Sequence, residues 1–109
     1  MFHIDFLEDA FEFLENLSEK ARNKIYFNLK KASLTNDVKL FKKLKNTEIW
    51  EFRTLYNKTQ YRLLAFWDKR DNKNTLVICT NGFIKKTQKT PKSEIKKAES
   101  IRTEYFENT

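Results

Sequence analysis

Two arginines and a pair of lysines stand where their side chains could meet a phosphate. Arg53 and Arg62 fall inside segments rich in aromatic and branched residues, and Lys85 and Lys86 follow a third such segment. Period-two alternation puts Glu51, Arg53 and Leu55 on one side of the first segment, and Trp50, Phe52 and Thr54 on the other. On the second, Arg62 shares its side with Leu64 and Phe66, opposite Tyr61, Leu63, Ala65 and Trp67. An arginine in such company snorkels, pairs with a carboxylate, or lines an anion site. Taken alone, either arginine is explained by an ion pair with Glu51 or Glu48. Taken together with the lysines, they suggest convergence on one concave face of an antiparallel sheet. Guanidinium groups grip phosphate oxygens two at a time, and a lysine moves a proton if its pKa is depressed by neighbouring cations. Such a cluster suits cleavage of RNA by its own 2′-hydroxyl, which requires an in-line phosphate and stabilisation of added negative charge.

Other chemistries fit less well. The acids crowd the first 19 positions or stand as singles, a poor pattern for a catalytic divalent metal. His3 is the only histidine and reads as a strand or edge residue. There is no G-x-S-x-G, and the lone glycine excludes a phosphate-cradling loop. Cys79, within Leu76-Val77-Ile78-Cys79, reads as inert core, and without a second cysteine neither a disulfide nor a cysteine zinc site forms. No metal or cofactor is expected. Tyr56, Tyr61, Trp67 and Phe83 are candidates for stacking on bases, although most of the 16 aromatic residues must fill the core.

The elements that would hold these residues follow from the pattern. Phe2 to Phe6 alternates as a short strand. Leu7, Ala10, Phe11, Leu14 and Leu17 then recur at helical spacing opposite Glu8, Asp9, Glu12 and Glu15. Ser18 suits the N-cap of a second helix, with Ala21, Ile25, Leu29 and Ala32 on its apolar face. The stretch from Asn36 to Asn46 is a short helical turn or an irregular connection. Strands are predicted at Ile49–Tyr56, Tyr61–Trp67 and Thr75–Phe83, joined by Asn57 to Gln60 and by Asp68 to Asn74 as an antiparallel meander. Thr90-Pro91 reads as an N-cap and first helical residue, opening a C-terminal helix with Ile95, Ala98, Ile101 and Tyr105 on one face. The expected fold is α+β, in the order β-α-α-β-β-β-α, with a small, mostly antiparallel sheet, an N-terminal helical hairpin and a C-terminal helix.

One domain over residues 1–109 is expected, with no linker or repeat, no membrane-spanning run and a cytoplasmic setting. The net charge of +7 conceals a polarity. The first 19 residues carry six acids and no lysine or arginine, and the 22 lysines and arginines that follow face only nine acids, a balance of +13. That distribution favours RNA, DNA or an acidic protein as partner, against the plainer reading of a solvated lysine-rich surface.

Ile49-Trp50-Glu51-Phe52-Arg53, then Tyr61-Arg62-Leu63-Leu64, then Gly82-Phe83-Ile84-Lys85-Lys86-Thr87-Gln88-Lys89-Thr90-Pro91 with Glu94-Ile95 and Ala98, together resemble the HigB-like, phage-derived branch of the RelE/ParE toxin superfamily. The resemblance runs over nearly the whole chain. It implies the toxin of a type II toxin–antitoxin pair: a metal-independent, ribosome-dependent mRNA endonuclease that inhibits translation, neutralised by a small helix-turn-helix, HigA-like antitoxin. By position, Arg53 and Arg62 would orient and stabilise the scissile phosphate, with Lys85 and Lys86 assisting. Lys58, Tyr61, Phe83, Thr87 and Lys89 are the candidate RNA contacts around them. No histidine matches the one some superfamily members place near the phosphate, so Lys85, Tyr56 and Tyr61 remain alternatives for the general base. The superfamily also contains gyrase inhibitors that cut no RNA, and a phage-derived RNA- or protein-binding module is a further alternative.

Overall fold

The computed structural model describes residues 1–71 and 75–108; Asn72, Lys73 and Asn74 of the expected second hairpin connection lie outside the described residues. In chain order the elements are β1 (His3–Phe6), α1 (Glu8–Glu15), α2 (Glu19–Leu34), β2 (Phe41–Lys43), β3 (Trp50–Tyr56), β4 (Thr59–Trp67), β5 (Leu76–Lys85) and α3 (Lys92–Asn108). They build one five-stranded sheet in the order β1-β5-β4-β3-β2, parallel between β1 and β5 and antiparallel elsewhere. The α+β reading holds, with one strand more than expected. That strand is β2, three residues inside the stretch whose geometry the sequence left open, pairing Phe41 with Phe52 at the far edge.

Both faces of the sheet are covered. Against one face, α1 and α2 pack Ala10, Leu14, Ile25, Leu29 and Ala32 onto Phe52, Leu63, Ala65, Val77 and Cys79. Against the other, α3 lays Ala98, Tyr105 and Phe106 over Ile49, Leu64, Phe66 and Ile78. Strands screened from water on both sides lose the apolar–polar alternation of a half-exposed sheet. Leu63 to Phe66 and Val77 to Asn81 are accordingly buried without interruption.

Local chemistry sets the element ends. Ser18 caps α2, its Oγ accepting from the Ala21 N–H at 3.2 Å. The β3–β4 connection is tighter than the four residues expected: Asn57 and Lys58 alone make the turn, at φ 50° and 66°, and β4 begins at Thr59. Two consecutive left-handed residues match the right-handed twist of the flanking strands, as a type I′ turn does. At α3 the expected cap is displaced by one position. The Pro91 carbonyl accepts from the Glu94 and Ile95 N–H groups, which frees the Thr90 hydroxyl to bond elsewhere.

In β5 the pairing slips. Leu64 lies opposite Asn81 but Ala65 lies opposite Cys79, so Thr80 is an extra residue, a β-bulge, with its hydroxyl donating to the Leu64 carbonyl at 3.1 Å. Before the bulge, Val77 and Cys79 face the helical hairpin; beyond it, Phe83 packs on the α3 side despite the same parity. Gly82 consequently turns to the hairpin, where a methyl group would overlap the Phe13 ring.

The end of α3 is tied to the sheet by Asp68. Its carboxylate accepts from Arg70 Nη2 at 2.8 Å and from the Tyr105 hydroxyl at 2.7 Å. The Arg70 hydrogen bonds hold the Asp68 carboxyl well below the usual carboxylate range, against the opposing effect of burial, with Tyr105 adding in the same direction. A carboxylate with a depressed folded-state pKa contributes stability that is complete above its unfolded value, about 4, and is lost as pH falls below it. Thermal unfolding across this acid range should show the wild-type midpoint dropping on acidification and a shallower drop in Asp68→Asn. Gly82→Ala should lower the unfolding free energy by about 1–3 kcal/mol through overpacking against Phe13, read from the urea midpoint.

Candidate phosphate-binding site

Arg53 on β3 and Arg62 on β4 are direct cross-strand partners. The Arg53 N–H donates to the Leu40 carbonyl on the side away from β4. The pair is therefore a narrow, non-hydrogen-bonded one, in which facing side chains come closest. Phe83 lies opposite Arg62 on its other flank and Lys85 lies opposite Gln60, so the bulge at Thr80 is what delivers β5's lysine to the face of the two arginines. Without the extra residue, Lys85 would point into the helical hairpin side.

Two guanidinium groups held this close repel each other unless an anion lies between them. Glu51 supplies it, two residues before Arg53 on the same face and fully buried. Its Oε1 lies 3.0 Å from Arg53 Nε and 3.6 Å from Arg62 Nε. Its Oε2 accepts a short hydrogen bond from the Thr90 hydroxyl, the group that does not cap α3. Glu51 thus joins β3, β4 and the α3 entrance. Glu48, the other carboxylate considered, lies instead near Lys43 at 3.9 Å on the surface.

The two arginines are not equivalent. The Arg62 side chain is only 9% exposed, donating from Nη2 to Gln60 Oε1 at 2.8 Å and from Nη1 to the Tyr61 carbonyl at 3.1 Å. Its buried Nε has no hydrogen-bond partner. Burial pushes its pKa down, Glu51 raises it, and Arg53 lowers it further. The Arg53 side chain remains 33% exposed. Lys85 is half-buried beside them, and its pKa is lowered first by desolvation and then by Arg62 and Arg53, with Glu51 opposing. One buried carboxylate against three cations leaves the face positive.

The remaining candidates divide. Lys86, Thr87 and Lys89 lie in the exposed segment between β5 and α3, where the Thr87 hydroxyl donates to the Lys89 carbonyl at 2.8 Å. Lys58 occupies the hairpin tip. Phe83 belongs to the same face as Arg62 but packs against the apolar cluster under α3. Tyr61 does not join the group: alternation sends it to the opposite face, against the core under α1 and α2. Cys79 is fully buried, and burial pushes its thiol up. Among the described residues no three His, Cys, Asp or Glu side chains gather to hold a metal, and no helix is long and apolar enough to cross a membrane.

Thr90, Gln60 and Asn81 were not among the site residues expected from sequence. Asn81, at the bulge, donates to Glu94 Oε1 at 3.0 Å and fastens the first turn of α3 beside the site. The place of Thr90 before Pro91 points to a cap.

The profile of the family described as "Phage derived protein Gp49-like (DUF891)" matches residues 12–103. The chain belongs to this Gp49-like family. The matched span contains all of Glu51, Arg53, Arg62, Lys85 and Thr90. No curated protein matches the chain. Among solved structures, a chain from the crystal structure of the intact E. coli RelBE toxin–antitoxin complex matches with a TM-score of 0.57 and 16% identity, over 82% of this chain and 100% of that one. The Gp49-like protein therefore has a RelE-like fold.

Because Glu51 is the one anion between the arginines, Glu51→Ala should lower stability by about 3–5 kcal/mol in urea unfolding. Glu51→Gln, which keeps shape and loses charge, should cost less and should depress the Lys85 pKa further, read by NMR titration of its Nζ.

Proposed function

We propose that this protein is the toxin of a type II toxin–antitoxin pair and acts as an endoribonuclease on mRNA at the ribosome, arresting translation. The observation that carries the reading is the three-cation face of Arg53, Arg62 and Lys85 anchored on one buried carboxylate. The RelE-like fold and the toxin–antitoxin complex in which its structural match was solved support it.

On this reading the 2′-hydroxyl, giving up its proton to a solvent water, attacks the adjacent phosphorus, the bond to the 5′-oxygen breaks, and a 2′,3′-cyclic phosphate remains. Negative charge grows on the non-bridging oxygens, and preorganised cations stabilise it without reorganising. Arg53 and Lys85, the accessible cations, contact the phosphate. Arg62, mostly buried, fixes the field behind them. A lysine with a lowered pKa surrenders its proton more readily, which suits Lys85 to protonate the departing 5′-oxygen. The exposed Lys86, Thr87 and Lys89, with Lys58 at the hairpin tip, extend the positive surface along the RNA. A small helix-turn-helix antitoxin with acidic segments fits that surface in the resting complex.

Arg53→Ala and Lys85→Ala should each reduce cleavage by about 100-fold or more. Lys85→Arg, which keeps charge and cannot release its proton, should fall between wild type and Lys85→Ala. Translating lysates with mapped mRNA ends measure this, alongside circular dichroism to confirm folding. Full activity in both alanine variants would remove the proposed site, and blocked DNA supercoiling without mRNA fragments would replace the nuclease with a gyrase poison.

A further inference from the structure

At the end of the sheet where β3 begins and β4 ends, a second cationic surface surrounds the two tryptophans of the chain. Trp50 at the start of β3 and Trp67 at the end of β4 meet edge to face, with ring centroids 6.1 Å apart. With Phe106 of α3 they line a cavity of about 320 Å³ whose rim carries Lys43, Lys69 and Arg102. Arg102 lies over the Phe106 ring at 5.2 Å. Among the described residues, neither Lys69 nor Arg102 forms an ion pair with an acid, and the one acid at the rim, Glu48, is 3.9 Å from Lys43. Arg70, also at the rim, is engaged with Asp68 and adds to the local field.

We propose that this cavity is a second binding site for single-stranded RNA, separate from the cleavage face, in which a base stacks on the indoles and its flanking phosphates meet Lys43, Lys69 and Arg102. Every base presents a π-face, so an aromatic floor with a cationic rim holds a strand without reading its sequence. Charge complementarity points the same way, and the absence of aliphatic lining argues against a peptide. The neighbouring depression, lined by Met1, Leu34 and Val38, has the aliphatic side chains that a peptide's own anchors would need, and this cavity has only aromatic ones. Trp50 precedes Arg53 by three residues, about 10 Å along β3 at the usual strand rise. A bound strand could therefore be held at two places, and the second would fix its course without touching the reacting phosphate. The ligand's identity rests on the RNA reading above; the site itself does not use the cleavage residues.

Trp50 and Trp67 are the only tryptophans and line both this cavity and the depression beside it, so intrinsic fluorescence reports binding at this end of the sheet and the Lys43 reversal assigns it to the cavity. The full chain is titrated with a 2′-O-methyl oligouridylate, which cannot be cleaved by 2′-hydroxyl attack. Saturable quenching is expected, weakening as salt is added. Lys43→Glu combined with Lys69→Glu, both at exposed positions, should weaken it by about tenfold or more, and Lys20→Glu, exposed on α2 and outside the cavity, should leave it nearly unchanged. Absence of quenching, quenching indifferent to the charge reversals, or equal quenching by polyglutamate would overturn the proposal, the last in favour of an acidic peptide. Cleavage of mRNA without quenching would overturn this site alone, whereas charge-sensitive quenching without cleavage would support it and remove the nuclease.

Discussion

Everything near the candidate site depends on one carboxylate held out of water between two guanidinium groups. Arg53 and Arg62 oppose each other across a narrow pair of strands, an arrangement that costs energy in any low-dielectric setting unless a negative charge is shared. Glu51 does this from a fully buried position and accepts from Thr90 as well, so the entrance to α3 is fixed by the same group that reconciles the arginines. The fold and the charge distribution of the site are therefore not separable. The sheet can carry a positive face because a single acid beneath it neutralises part of the charge, leaving Arg53 and Lys85 toward solvent.

The bulge is the second constraint. Strict alternation along β5 would put Val77, Cys79, Asn81, Phe83 and Lys85 on one side. The structure splits them, with the first two under the helical hairpin and Phe83 and Lys85 on the α3 face. Thr80, bonded to the Leu64 carbonyl, absorbs the extra residue. A bulge beside a functional surface re-aims side chains where uniform pleating could not. Here it lets one strand serve an apolar core at one end and an anion-attracting face at the other.

Much of this was legible in the chain. The apolar spacing of α1 and α2, the Ser18 cap, the three long strands and the face shared by Glu51 and Arg53 all follow from periodicity, because packing and propensity agree there. β2 escaped because three residues among lysines make too short a pattern to register. The turn at Asn57 and Lys58 was read as longer than it is, since a lysine at positive φ is an uncommon choice. Tyr61 stood as a candidate RNA contact and an alternative base, and the same alternation that sets it opposite Arg62 carries it to the hairpin face, against the core. Thr90 looked like a helix cap because local sequence cannot show that Glu51, 39 positions away, competes for its hydroxyl. The bulge, finally, leaves no mark that alternation rules detect.

The order of the sheet also bears on when the molecule comes into being. β5 is the last strand in the chain, yet it lies between β1 and β4 and bonds to both, with Ile4 beside Val77. During vectorial synthesis the N-terminal strand has no partner until some seventy further residues have emerged. Lys85 and Thr90 arrive later still. A growing chain thus cannot assemble the cationic face early: the hairpin helices and the β3–β4 ribbon precede β5, and the surface that would meet a phosphate is completed only after that strand has been threaded between its neighbours.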